Sequence, residues 1–367
     1  MNYESGSVKN IHYGDIHTKY PSILSIENNK EVPFINNDLD LSKFSEDQYL
    51  QEGDLIIADA SEDYEDIGKA IEVKNINNEK VLAGLHTILA RDEKNMTVNG
   101  FKAYLFSTNN LKTKIKIIAN GISVLGISKN NLSKINVKIP SKNEQRDIVS
   151  FISDIDKKIE LLERKHQSYL EFKNYLMKQI FTQKLRFADN ENWKTVKLGD
   201  VCKITMGQSP SSENYSENNF HTVLIQGNAD IINGKVVPRV YTSEITKISK
   251  PGDIIMTVRA PVGDLAINEF ESCIGRGVCS IEGNKFIYYL LQSLKDNHVW
   301  ERLSQGSTFE SINSNDIKNL KVKMPSEETQ NTISLFLTEI DSKIELYEIQ
   351  FLTFQKLKKG LLQQMFV

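Results

Sequence analysis

Cysteine is scarce in this chain: three in 367 residues, Cys202, Cys273 and Cys279. The number is odd and no pair has Cys-x-x-Cys spacing, so neither a disulfide framework nor a zinc site is implied. They read as small buried hydrophobes of a cytoplasmic protein. Long apolar runs are missing too. None approaches the roughly 20 residues a membrane helix needs, and no secretory signal opens the chain. Neither sign of charge dominates: 45 Lys and Arg against 48 Asp and Glu leave a net charge of −3 and a pI near 6.1. A global basic signature of nucleic-acid binding is therefore absent. Catalytic signatures are also missing: no phosphate-binding Gly-x4-Gly-Lys loop, no Gly-x-Gly-x-x-Gly after a strand, no His-Glu-x-x-His, no Gly-x-Ser-x-Gly. The Asn/Asp-Pro-Pro-aromatic tetrapeptide of amino-methyltransferases does not occur, and the six histidines are scattered without metal-ligand spacing. No cofactor and no metal are expected. Such a chain reads as a binder and not as an enzyme.

What is present is a repeat. Val137-Lys-Ile-Pro140-Ser-Lys-Asn-Glu-Gln145 returns as Val322-Lys-Met-Pro325-Ser-Glu-Glu-Thr-Gln330, a displacement of 185 residues. It continues without a gap to Phe181 and Phe366, through Ile155-Asp-Lys-Lys-Ile-Glu-Leu161 and Ile340-Asp-Ser-Lys-Ile-Glu-Leu346. Solenoid repeats recur every ~20–50 residues, so this is a duplicated domain plus helix. Each copy carries an apolar ladder in steps of four and three. The first is Ile148, Ile152, Ile155, Ile159, Leu162, His166, Tyr169, Leu176 and Ile180; the second is Ile333, Leu337, Ile340, Ile344, Tyr347, Phe351, Phe354, Leu361 and Met365. The only breaks, Lys173 and Lys358, occupy equivalent positions. This period marks a coiled-coil seam, and a helix of roughly 38 residues is close to 57 Å long. A buried hairpin or a homodimer seam would use the same ladder. Separation by a whole domain excludes a tight hairpin, and the likeness of the helices favours their pairing with each other. Antiparallel pairing would then relate the two halves by a pseudo-twofold axis.

The expected fold class is α+β, with four segments: 1–141 a first globular domain, 142–187 a first spacer helix, 188–326 a second globular domain, and 327–367 a second spacer helix. Leu55-Ile-Ile-Ala58 and Ile254-Ile-Met-Thr-Val258 are β-rich runs, each after a Gly-Asp turn (Gly53-Asp54, Gly252-Asp253). Val81–Gly84 and Cys273–Gly275 read as strand ends, and Phe101–Leu105 and Phe286–Leu291 as helical. Gly121–Ile127 and Gly306–Ile312 face each other across the same displacement, and both leading glycines are expected to serve backbone conformation. Trp193-Lys-Thr-Val-Lys-Leu-Gly-Asp200 and Met206-Gly-Gln-Ser-Pro210 open the second domain. The first begins near the counterpart of Leu224–Gly227, at Val8–Asp15, and is expected to lack an opening strand and turn.

The pattern resembles the specificity (S) subunit of type I restriction–modification enzymes. The resemblance rests on the duplicated domain–helix order, the Val137–Gln145 and Val322–Gln330 helix entries, and Ile-Asp-x-Lys-Ile-Glu-Leu in both helices. Leu198-Gly-Asp200 with Gly207-x-Ser-Pro210, and Lys250-Pro-Gly-Asp-Ile254, match as well. In the first half, His12–His17, Ala58–Asp63 and Gly84-Leu-His86-Thr resemble one recurring class of target recognition domain. The resemblance covers nearly the whole chain. It implies that each domain reads one half of an interrupted DNA sequence. The antiparallel helices would set the spacing and dock two methyltransferase subunits, which endonuclease/translocase subunits then join. The chain itself would catalyse nothing; its partners would bring S-adenosylmethionine and ATP. A degenerate copy that binds methyltransferase without specifying a target is the alternative; a cryptic nuclease or methyltransferase, or a scaffold without nucleic acid, is a further reading.

On that reading, phosphate contacts fall to Lys19, Lys69, Lys112, Lys114 and Lys116 in the first half and Lys235, Lys247 and Lys250 in the second. Arg259 and Arg276 suit guanine, and Gln226 and Asn228 suit adenine, because these side chains bond base edges bidentately. His12, Tyr13, His17 and His86 are the corresponding polar positions of the first half. Asp15 and Asp59 read as turn formers. Glu160, Glu163, Glu171, Glu345 and Glu348 would offset the basic groove from the helices. Partner docking and helix pairing fall to the two apolar ladders.

Overall fold

The computed structural model describes residues 1–27, 29–36, 39–188, 191–304 and 311–366. The chain divides into two compact units: Met1–Arg164 with Glu348–Val367, and Lys165–Tyr347. Each takes one end of each long helix.

In the first unit, β1 (Val8–Ile11) leads into the short helix α1 (Tyr13–Thr18) and β2 (Ile23–Ser25). Then come β3 (Leu55–Ala58), β4 (Ala70–Lys74), β5 (Lys80–Ala83) and β6 (Thr87–Ala90). The sheet runs β2-β4-β3-β6; β2 is parallel to β4, β3 is antiparallel to β4 and β6, and β1 pairs in parallel with β5. β3 is buried along its whole length, as its unbroken apolar run requires. Helices α2 (Phe101–Phe106), α3 (Asn109–Ile118) and α4 (Lys129–Leu132) follow, and α5 (Lys142–Phe181) begins the first spacer.

The second unit contains β7 (Lys194–Lys197), α6 (Leu198–Val201), β8 (Lys203–Met206), β9 (Thr222–Ile225), β10 (Lys235–Val236) and β11 (Ile254–Thr257). It continues through β12 (Leu265–Ile267), β13 (Ser272–Ile274), β14 (Val278–Glu282), α7 (Lys285–Asp296), α8 (Ser314–Asn319), β15 (Lys321–Met324) and α9 (Glu327–Met365). Its sheets repeat the first unit's. β9 is parallel to β13 as β1 is to β5, β10 is parallel to β12 as β2 is to β4, and β11 is antiparallel to β12 and β14 as β3 is to β4 and β6. The second unit has further strands, two of which cover edges. β8 covers the outer edge of β14, and β7 pairs with β15. Among the described residues of the first unit neither has a counterpart.

Both Gly-Asp turns form as the sequence predicts. Gly53 and Gly252 have φ of +84° and +93°, the left-handed region open to glycine. Asp54 and Asp253 accept from the backbone N–H groups of Gln51 (2.7 Å) and Lys250 (2.8 Å), closing both turns in the same way. Gly121 has φ +135°, and a Cβ there would sit 2.0 Å from the Val124 carbonyl oxygen. The expectation for Gly306 lies outside the described residues.

The Pro-to-Gln entries also act alike. Gln145 donates to the Pro140 carbonyl (2.9 Å) and Gln330 to that of Pro325 (3.1 Å). Each Gln thereby ties the last turn before its helix back onto the helix. Gln145 also accepts from Val98 N–H and donates to Met96 O, while Gln330 accepts from Asn284.

Within each unit the two helix segments run antiparallel. In the first, Lys158 lies over the Phe354 ring and Asp156 pairs with Lys358 at 2.5 Å. In the second, Tyr169 packs at a tilt against Tyr347 (centroids 5.3 Å) and Lys173 pairs with Asp341 at 2.7 Å. The apolar ladders serve two neighbours at once. Ile148, Ile152 and Ile155 bury against Phe101 and Tyr104 of α2 as well as Leu362 of α9. Ile333, Leu337 and Ile340 likewise pack in one core with Phe286, Tyr289 and Leu290 of α7 and with Leu176, Met177 and Ile180 of α5. Ile159, Ile344, Tyr347 and Phe351 are half-buried and Leu162 is buried.

The lysine breaks in the ladder have a structural cause. Tyr104 donates to Asp156 (3.0 Å) and touches Ser153, while Lys358 sits over the Tyr104 ring. Tyr289 donates to Asp341 (2.7 Å) and touches Thr338, while Lys173 sits over the Tyr289 ring. All four positions recur at the displacement of 185 residues. Each lysine occupies a seam position because a carboxylate bonded to a buried phenol stands opposite it. The three cysteines are free and buried, and burial pushes the thiols of Cys202 up to about 11 and Cys279 up to about 12.

Candidate nucleic-acid interface

In the second unit the polar candidates emerge where strands end. Gly275 N–H donates to Ile225 O (2.8 Å), Gln208 N–H to Ile274 O (2.8 Å), and Val258 N–H to Gly277 O (2.9 Å). These bonds draw the loops after β8, β9, β11 and β13 to one rim. Glycine is required there. A Cβ on Gly277 would lie 2.0 Å from Gln226 O, and one on Gly207 2.0 Å from Gly275 O. The rim therefore gathers Gln226, Asn228, Arg259 and Arg276. Arg276 is exposed, with its backbone N–H held by Ser209 Oγ (3.1 Å). Arg259 is exposed and bridges Ser311. Asp230 accepts from Gln226 and Gly227 N–H (2.8 and 3.3 Å) and fixes the short turn that carries Asn228. Exposed Lys247 joins the rim through its carbonyl, which accepts from Ile274 N–H.

Two of the predicted lysines stand elsewhere. Lys250 lies in the turn before β11, so about 13 Å of strand separates it from Arg259. Lys235 pairs with Glu345 of α9 at 2.7 Å. Sequence reasoning missed Gln208, Ser209 and Arg239. The Gly207-x-Ser-Pro210 motif signalled the first two. Arg239, bonded to Ala229 O (3.2 Å) and 3.8 Å from Asp230, carried no signal.

The first unit places a different set at the corresponding ends. His12 caps α1, its Nδ1 accepting from Gly14 N–H. Tyr13 contacts His12, His17 and His86, with ring centroids 4.5, 6.0 and 5.4 Å apart. Asp59 N–H donates to His86 O (3.1 Å), and His86 Nδ1 lies 3.3 Å from the Asp59 carboxylate. His17 Nε2 contacts Ala60 O (3.0 Å), whereas its Nδ1 is buried with no hydrogen-bond partner. Four predicted residues thus form one aromatic–imidazole cluster, which includes the carboxylate of Asp59.

The lysines of this unit mostly have internal partners. Lys19 pairs with Asp15 (2.7 Å) and donates to Tyr3, which together raise its pKa. Lys69 donates to His17 O (2.6 Å), bracing the cluster from behind. On α3, Lys116 pairs with Glu65 at 2.6 Å. Lys112 shares its face, and burial lowers its pKa, with Lys69 and Lys116 adding repulsion. Lys114 points the other way and donates to Asn136 O (3.1 Å). Among the described residues no group of His, Cys, Asp and Glu could hold a metal ion, and no helix is long and apolar enough to cross a membrane.

The fold and rims define a class: an internally duplicated α+β recognition protein, with polar loop clusters at equivalent sheet ends and two long helices. The family model described as the type I restriction modification DNA specificity domain matches residues 3–171 and again 190–352. The chain belongs to this family. It is 30% identical over 329 residues to the putative type I restriction enzyme MjaX specificity subunit of Methanocaldococcus jannaschii, covering 84% of this chain and 76% of that one. Two solved structures share the fold. The type I restriction–modification S subunit from M. genitalium superposes with a TM-score of 0.60 at 15% identity, over 98% of this chain and 92% of that chain. A chain from a study of assembly and conformational transition of the type I system gives 0.59 at 22% identity, over 87% and 82%.

Proposed function

We propose that this chain is the DNA sequence-specificity subunit of a type I restriction–modification complex, with each unit reading one half of a bipartite target. One observation carries this reading. Equivalent sheet ends present unrelated polar sets, Gln226, Asn228, Arg259 and Arg276 in one unit and His12, Tyr13, His17 and His86 in the other. A duplicated scaffold with different rims is what two different half-sites call for. Arg and Gln reach base edges in the major groove, and Lys247 serves the phosphates. His and Tyr offer donors, acceptors and stacking surface to the other half-site.

In this reading the helices are spacer and dock. Two methyltransferase subunits bind along them, and endonuclease/translocase subunits join that cytoplasmic assembly. The chain contributes position and no chemistry; methyl transfer, ATP hydrolysis and cleavage belong to the partners. The domains that read are 1–141 and 188–326, and the spacers are 142–187 and 327–367.

Coexpression with methyltransferase subunits, followed by selection of bound duplexes from a random pool, tests this. Two constant segments separated by a fixed gap are expected. Arg276→Ala should relax a single position in one segment, weakening discrimination there by about 1–3 kcal/mol. A single contiguous segment, or methyl transfer by the purified chain alone, would contradict the proposal.

A further inference from the structure

The turn between β5 and β6 of the first unit and the turn between β13 and β14 of the second are held by the same bonds. Gly84 N–H donates to Ile11 O (2.8 Å) as Gly275 N–H donates to Ile225 O (2.8 Å). Asp59 N–H donates to His86 O (3.1 Å) as Val258 N–H donates to Gly277 O (2.9 Å). The strands that follow begin one residue later, at Thr87 and Val278. Leu85 therefore stands where Arg276 stands. The register continues on the far side of Asp59. Ile127 N–H donates to Asp59 O (2.8 Å) as Ile312 N–H donates to Val258 O (3.0 Å), and the Ala60–Gly126 pairing matches the Arg259–Ser311 bridge. Ala60 therefore stands where Arg259 stands. Both arginines of one rim are replaced by aliphatic residues in the other. Neither pair keeps the displacement of the long helices, so the sequence repeat conceals the exchange.

Ala60 is buried, but Leu85 is 69% exposed. The turn that presents it is fixed from several sides. Thr87 Oγ1 donates to Gly84 O (2.5 Å), a Cβ on Gly84 would lie 2.8 Å from Ile11 O, and His86 is left-handed at φ +55°. A large aliphatic side chain is thus held out in water beside His86, a member of the aromatic–imidazole cluster.

We propose that Leu85 is a base-reading residue of the first unit and that it contacts the C5-methyl group of a thymine. The assignment rests on the functional reading above and names the base class of one half-site. A leucine offers guanine O6 and N7 no donor, whereas the thymine methyl is the apolar group on the major-groove edges. Cytosine in that place would present its N4 amino donor to an aliphatic surface and leave it without a partner. Guanine and adenine would leave their acceptors unpaired in the same way. The corresponding positions of the two half-sites therefore differ in kind: thymine opposite Leu85, guanine opposite Arg276. Equivalent turns on one scaffold thus make the target asymmetric by a single exchange of side chain.

The test uses the full chain in complex with its methyltransferase subunits, and duplexes carrying the selected target. Each thymine of both strands is replaced in turn by deoxyuridine, and binding is read by fluorescence anisotropy. At one position of one half-site, loss of the methyl group should weaken binding about three- to fivefold. Leu85→Ala should abolish that difference between thymine and deoxyuridine, because side chain and methyl share one contact. Its Tm should match that of the native chain, since Leu85 is exposed. Selection from a random pool should move that position from thymine toward guanine with Leu85→Arg, and the other half from guanine toward thymine with Arg276→Leu. A bipartite target whose deoxyuridine effects all persist in Leu85→Ala would overturn this assignment alone. So would a Leu85→Arg chain that selects the same bases as the native one. Absence of any bipartite target would overturn the functional reading, and this assignment with it.

Discussion

Lys173 and Lys358 look like faults in the ladder, yet each neutralises a carboxylate that a buried tyrosine has already engaged. Removing the cation leaves Asp341 or Asp156 with the phenol alone. Lys173→Ala should therefore cost about 1–3 kcal/mol in urea unfolding, toward the lower end because Asp341 keeps some solvent. The double variant Lys173→Ala/Asp341→Ala should cost less than the sum of its parts, because the two groups share one interaction. Additive costs would show that the pair contributes nothing jointly. The repeated residues of this network, Tyr104 and Tyr289, Asp156 and Asp341, were all visible in the sequence at one displacement. Their meeting was not, because a heptad pattern ranks polar side chains as surface. The same blindness hid the carboxylates that Lys19, Lys116 and Lys235 face, distant in sequence or one turn away.

Elements were more legible than contacts. Both long helices begin where Pro140 and Pro325 place them, since Pro disfavours helix before it and each Gln clamps the turn. Gln145 is nearly fully buried and makes three hydrogen bonds, one of them to the N–H of Val98. Gln145→Ala should destabilise the first unit by about 1–3 kcal/mol, the cost of leaving buried backbone groups unpaired. Gln330→Ala, at a half-exposed position, should cost about 0.5–1.5 kcal/mol. Chemical denaturation of each variant, with exchange at Val98 as a local reporter, distinguishes the two. The Gly-Asp turns were readable because glycine at positive φ is a local requirement. Strand pairing was not, because β1 with β5 and β9 with β13 join segments far apart in sequence. The period of two says which face is buried, never which strand lies alongside. Hence the rim of Gln226, Arg259 and Arg276 could be listed residue by residue but assembled only once those pairings were known. Lys250 was listed with it although chain order alone puts Lys250 before the β11 run and Arg259 after it, at opposite ends of one strand.

At the scale of the whole molecule the central claim is that duplication gives two readers of different specificity on one spacer. It predicts that the rims act independently: damage to one alters one half of the target and leaves the other half and the gap unchanged. Long-read mapping of methylated adenines across the genome, in cells coexpressing this chain with its methyltransferase subunits, measures this directly. The account predicts an interrupted, asymmetric motif in which Arg276→Ala relaxes one half and His17→Ala the other, with the gap constant. No methylated motif despite a stable copurifying complex, or both substitutions relaxing the same half, would contradict it.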